Sequence, residues 1–173
     1  MASRFTFAAS KIQEGSGMAK VQWAKGERFE RKARIMVAAR AEEVFPLLCP
    51  VREYEWIPNW RCRMVYSESG VAEKDAVFTT VERPFGKILW TCALYEPPRR
   101  IEYLLTRGAI ASIRLELELT EEGGRTAIDW TMRYTAASPR IATFLRKKMS
   151  EKAFASMMRT RERQLAEYFA ARR

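Results

Sequence analysis

Apolar residues recur at every second position through the middle of this chain and at helical spacing near its end. From Phe29 to Ala39, Phe29, Ala33, Ile35 and Val37 share one side while Lys32, Arg34 and Met36 share the other, which predicts a strand. Ala41 to Leu48 reads as a short helix, with acids in its first turn, Val44, Leu47 and Leu48 on one face, and prolines limiting its length. Val51 to Trp60 is too aromatic for a surface loop and predicts a second short helix ending at an aromatic corner. Five strands follow the period-two rule around Cys62–Tyr66, Ala76–Glu82, Ile88–Tyr95, Ile101–Leu105 and Ile113–Leu119. A sixth, Thr126–Thr135, forms a hairpin with its predecessor across Glu121-Glu-Gly-Gly124. In that hairpin Ile128, Trp130 and Met132 alternate with Asp129, Thr131 and Arg133, so one face is apolar and the other wet.

The period changes at Ser138-Pro139, where a serine cap and a first-turn proline open a helix. Its apolar residues form two stripes, Ile141, Phe144, Leu145 and Met149, then Phe154, Met157, Met158, Leu165, Tyr168 and Phe169. The second stripe is rotated far around the axis, which predicts a kink or break near Ser150. Roughly 30 helical residues span about 45 Å, and no other element is long enough to cover the apolar face of the sheet. The expected class is α+β: a curved antiparallel sheet of about seven strands around a long C-terminal helix, with two short helices after the first strand. A curved sheet around a helix leaves a gap, and the gap is a pocket.

Composition removes whole classes of chemistry. The 173 residues contain no histidine, so Ser-His-Asp and Cys-His catalysis and His-rich metal sites are excluded. Cys49, Cys62 and Cys92 form no Cys-x-x-Cys pair, which fits a reducing cytoplasm and predicts neither a disulfide framework nor a metal site. No cofactor is called for. No stretch approaches the roughly 18 apolar residues of a membrane span. Residues 1–27, rich in Ser, Gly, Ala and Lys, read as a flexible leader or surface strap, and 28–173 as one domain.

The net charge of +10 sits at the two ends. Residues 1–34 carry 8 Lys/Arg against 3 Asp/Glu, residues 35–137 carry 13 against 15, and residues 138–173 carry 10 against 3. A basic end fits a solvated helix face, contact with an anionic membrane surface, or nucleic acid. Nucleic acid is the least favoured, because Phe144, Phe154, Tyr168 and Phe169 sit at packing intervals rather than interleaving with the cations.

The order of elements, the aromatic-ended segment Val44–Trp60, the bend Glu96-Pro97-Pro98-Arg99-Arg100-Ile101 and the turn Gly123-Gly124-Arg125-Thr126 together carry a resemblance. Over residues 29–170 the chain resembles the START-like, birch-pollen-allergen-like helix-grip superfamily, in its polyketide cyclase/dehydrase and lipid-transport group. The resemblance implies a cavity between sheet and helix for hydrophobic or amphipathic small molecules or lipids. It carries over no catalytic residue.

Several residues merit weighing individually. Trp90, Tyr103, Leu105, Leu115, Leu117, Trp130 and Met132 on the strands, with Met149, Met157 and Met158 on the helix, read either as core or as an adaptable cavity lining. Trp56 and Trp60 are either a gate or a plug at the end of the grip. Phe78, Thr80 and Glu82 share one side of a strand, and if it faces inward Glu82 is a buried acid of raised pKa. Arg161 falls inside the second apolar stripe, where it would pair with Glu82, hold a ligand anion, or reach to the edge. Asp129 and Arg133 read as solvated.

The leading expectation is a binder or carrier of a hydrophobic molecule in a cavity of several hundred Å³. The first alternative is a cofactor-independent cyclase or hydratase using Glu82 or Tyr103 for proton transfer. The second is an interaction protein whose basic terminal helix docks on an anionic membrane or RNA. The sequence leaves the ligand, any catalysis and the oligomeric state open.

Overall fold

The computed structural model describes residues 24–172. Seven strands form one antiparallel sheet: β1 (Glu27–Val37), β2 (Cys62–Tyr66), β3 (Val77–Glu82), β4 (Gly86–Glu96), β5 (Arg100–Arg107), β6 (Ala111–Glu122) and β7 (Arg125–Ala136). Their order is β1-β7-β6-β5-β4-β3-β2. The six later strands thus form a meander, and β1 returns to pair with the last of them. The β6–β7 turn works because Gly123 and Gly124 both take positive φ, 58° and 77°, which suits a tight hairpin turn.

The first predicted strand is displaced: it begins at Glu27 and ends at Val37, so the expected leader 1–27 overlaps it by one residue. Residues 1–23 of that leader lie outside the described residues. The two predicted short helices are smaller than expected. An α-helical turn, α1 (Ala41–Val44), passes into a 3₁₀ turn at Phe45–Leu48, where Pro46 has no N–H to continue an α-helix. Of the aromatic segment, only Glu53–Glu55 is helical, again as a 3₁₀ turn.

The break near Ser150 is present. Helix α2 (Pro139–Lys148) ends there and α3 (Glu151–Ala170) begins, with the Ser150 hydroxyl accepting a hydrogen bond from the Ala153 N–H. This division lets each helix bury part of its own stripe: Leu145, with Ala142 beside it, from α2, and Phe154, Met158 and Leu165 from α3. Phe144 of the first stripe, by contrast, does not pack inward as its spacing suggested and is left exposed. Helix α3 also covers the β1 edge, where the Glu162 carboxylate accepts from the backbone N–H of Met36 at 2.8 Å. An otherwise unpaired edge group is thereby satisfied.

The outward face is more ordered than expected. Asp129 and Arg133 are paired, not merely solvated: Arg34 forks onto Asp129 at 2.8 and 2.7 Å, and Arg133 bridges Glu30 and Glu116.

Candidate functional site: a cavity between the sheet and the helices

The sheet register stacks the inward residues into continuous rows. One runs Phe78, Trp90, Leu105, Ile113, Tyr134 and Phe29 across six strands. Another runs Cys92, Tyr103, Leu115 and Met132. These rows face α2 and α3 across a cavity of about 200 Å³. It is smaller than the several hundred Å³ expected, and below the usual ligand-pocket range of roughly 300–1,000 Å³. The inner aromatic and methionine side chains fill much of the grip.

The cavity brings together Trp60, Phe78, Glu82, Trp90, Tyr103, Leu105, Leu115, Leu117, Trp130, Met132, Met149, Met157 and Arg161. Trp56 and Met158 are not part of its lining. Trp56 is buried beneath it, its indole N–H donating to the Leu47 carbonyl at 2.7 Å. Met158 lies one position past Met157, about 100° further round the helix, and packs into the core. Among the residues that sequence reasoning missed are Glu53, Phe85, Ile110, Tyr134 and Phe144. An acid inside an aromatic segment, and a phenylalanine inside the Pro84-Phe-Gly86 turn, were the available signals.

Phe78, Trp90 and Tyr103 form an aromatic wall. Phe78 stacks on Trp90 with centroids 5.2 Å apart, and Tyr103 meets both edge-on at 5.8 and 6.1 Å. The Trp90 indole donates to Thr80 Oγ1 at 2.9 Å, and the Tyr103 hydroxyl to the Leu48 carbonyl at 3.0 Å. Burial pushes the Tyr103 phenol well above its ordinary value, so it is a neutral, fixed donor. Trp130 differs from these neighbours. It lines the same cavity, is 7% exposed, and its indole N–H is buried with no acceptor among the described residues.

Besides the two tyrosines, Glu53, Glu82, Arg107 and Arg161 bring ionisable groups to the cavity lining, and the two acids and Arg161 act on one another. The side of β3 bearing Phe78 faces inward and carries Glu82 with it, half-buried. The acid that burial acts on most clearly is instead Glu53, from the 3₁₀ turn. Its carboxyl is pushed up to about 8, chiefly by withdrawal from water and further by the Glu82 charge, against the opposing pull of Arg161. Arg161 in turn is lowered by burial, which the charges of Glu53 and Glu82 offset in part. Neither acid forms an ion pair with it among the described residues, so the expected Arg161–Glu82 pair is not made. The guanidinium lies over the Trp56 ring, 5.7 Å from its centroid, and donates to Gln164 at 3.1 Å.

All three cysteines are free thiols, and burial raises each. Among the described residues, no group of three or more His, Cys, Asp or Glu is placed to hold a metal ion, and no helix is long and apolar enough to cross a membrane.

Residues 28–170 match the family model described as polyketide cyclase / dehydrase and lipid transport. The chain belongs to that family. No curated protein matches the sequence. Among solved structures, truncated norcoclaurine synthase from Thalictrum flavum aligns at a TM-score of 0.64 and 12% identity, covering 85% of this chain and 99% of that one. The same enzyme in complex with dopamine and hydroxybenzaldehyde aligns at 0.63 and 11%, covering 91% and 98%. A protein from Rhodobacter sphaeroides aligns at 0.59 and 20%, covering 85% and 99%. At these identities the likeness is one of fold, the helix-grip α+β architecture. Family and architecture together support a ligand-binding fold.

Proposed function

We propose that this domain binds a small, largely apolar molecule bearing one polar group, held between the sheet and α3. The observation that carries the reading is the wall itself: an apolar cavity in which, among the described residues, Arg161 is in no ion pair and the Trp130 N–H has no acceptor. A buried donor without an acceptor is costly, by about 1–3 kcal/mol. A guest with a carbonyl or similar oxygen would relieve it. The 200 Å³ volume favours a single ring system or a short chain over a two-chain lipid. The dopamine and hydroxybenzaldehyde of the norcoclaurine synthase complex are of that size. Three free thiols, Cys49 and Cys92 buried and Cys62 half-buried, suit a reducing compartment such as the cytoplasm.

Trp60, Trp90 and Trp130 all line the cavity, so a bound aromatic probe should quench tryptophan emission saturably. Native mass spectrometry of gently purified protein should show a carried small molecule. Unchanged emission across a panel of apolar carbonyl compounds, together with a bare native mass, would rule the reading out.

A second reading has its own observation. Glu53, protonated at neutral pH, is a carboxylic acid poised to donate a proton inside an apolar site, with Glu82 and Arg161 as its electrostatic neighbours. On this reading the domain acts on a carbonyl substrate as a cyclase or dehydratase, and Glu53 replaces Glu82 as the leading acid. Glu53→Gln should then abolish turnover while leaving tryptophan quenching intact. Turnover that survives the substitution would remove this reading and leave the binding one standing.

A further inference from the structure

One end of the cavity reaches the surface between three segments: the β3–β4 turn, the β5–β6 turn and α2. Each supplies an apolar residue to the opening. Phe85 comes from the first, Ile110 from the second and Phe144 from the third. Ile110 and Phe144 are 36% and 39% exposed. The segments touch one another: Phe85 and Phe144 meet edge-to-face at 6.0 Å, and a Cβ on Gly86 would lie 4.0 Å from the Arg107 guanidinium.

The charge on these segments is one-sided. Residues 83–89, 107–112 and 138–150 contain Arg83, Lys87, Arg107, Arg140, Arg146, Lys147 and Lys148, and no acid; Glu82, in the cavity lining, and Glu151 border them. Arg146 is taken up by Glu27. The other six are exposed and form no ion pair among the described residues. Elsewhere on the sheet, Arg34, Arg100, Arg114 and Arg133 are paired. The strand arginines in no ion pair among the described residues, such as Arg28, Arg63 and Arg125, are scattered rather than gathered beside an apolar opening.

We propose that this rim docks on the surface of an anionic lipid bilayer, with Phe144 and Ile110 seated among the headgroups and the six unpaired cations against the lipid phosphates. Cations on the segments that flank an apolar opening match an interface that is charged outside and apolar within. A nucleic acid would meet the cations but leave the exposed Phe144 and Ile110 without a partner. The inference goes beyond guest binding, and it needs no guest to be tested.

The test uses the full chain in flotation with vesicles of phosphatidylcholine alone and of phosphatidylcholine mixed with phosphatidylglycerol. The protein should float only with the anionic vesicles and be released by high salt. Each cation near such a surface is worth roughly fivefold in partition. Lys147→Ser with Lys148→Ser should therefore weaken binding about 30-fold, and Phe144→Ser should weaken it further. Loss of the same two charges at Arg63 and Lys74, away from the rim, should change binding far less. Circular dichroism confirms that each variant is folded.

Absence of flotation, or equal losses from the rim and the control variants, would overturn the proposal. So would an RNA oligomer that displaces the vesicles through the same two lysines, which would give the surface to nucleic acid instead. Guest uptake, read separately by tryptophan quenching, can fail or succeed independently of either result.

Discussion

Two groups of charge on this protein are handled in opposite ways. On the outer face of the sheet, Glu102 is 4% exposed and is held by both Arg100 and Arg114, the latter at 2.7 Å. Across the sheet, Glu53 shares a cavity with Arg161 and Glu82 and is in ion contact with neither. Both places remove a carboxyl from water. The first neutralises it with neighbours fixed by strand register; the second leaves it to be neutralised by a proton, or by whatever enters. A charge network that is closed serves the fold, and one left open is available for a ligand.

The largest effect should come from opening the closed network. Glu102→Ala removes charge-assisted hydrogen bonds to two arginines and should cost about 2–3 kcal/mol in urea unfolding. Arg100 and Arg114 are each partly exposed and can turn to water, which keeps the loss from growing larger. No loss would mean that the outer pairs are ornamental and the contrast false.

Next comes the inner wall. Tyr103→Phe keeps the ring but leaves the Leu48 carbonyl without its donor, at a cost of about 1–2 kcal/mol by thermal or urea denaturation.

Glu53 should show a pH signature. Its carboxyl ionises near 4.5 when unfolded and is pushed up to about 8 when folded, so the native state holds the proton more tightly. The fold is therefore favoured at low pH and loses that advantage as pH rises from about 4.5 to 8. Glu53→Gln should flatten this decline, and at pH 8 be the more stable protein. Parallel stability profiles for the two proteins would show that the cavity does not desolvate this acid.

The smallest effect should be at the rim. Lys147→Ser with Lys148→Ser should move the melting temperature by only about 2–4 °C, since each lysine supports the C-terminal turn of α2 and neither is in an ion pair among the described residues. A larger shift would make these lysines structural and close the distinction between rim and scaffold.

Much of this architecture was legible locally. Alternation of apolar and polar residues gave each strand of the meander to within a few positions, because the side-chain period of a strand is fixed at two. The break at Ser150 could be read from the rotation between two helical stripes. The short helices are shorter than their composition suggests, because composition does not distinguish an α-turn from a 3₁₀ turn stopped by proline. Glu82 was found as a candidate by its phase with Phe78, whereas Glu53 lies in a turn without period and gave no such signal.

Within the chain alone, the absence of histidine, the strand and helix periods and the polarity of each face were decided, since these depend only on residue type and spacing. Register decided the rest. It set which acids met arginines on the outer face, and it left the Trp130 N–H without an acceptor among the described residues. It also brought three basic segments, far apart in sequence, to one opening. Contacts between distant residues depend on how the sheet curves around its helices, and local periodicity carries no record of that curvature.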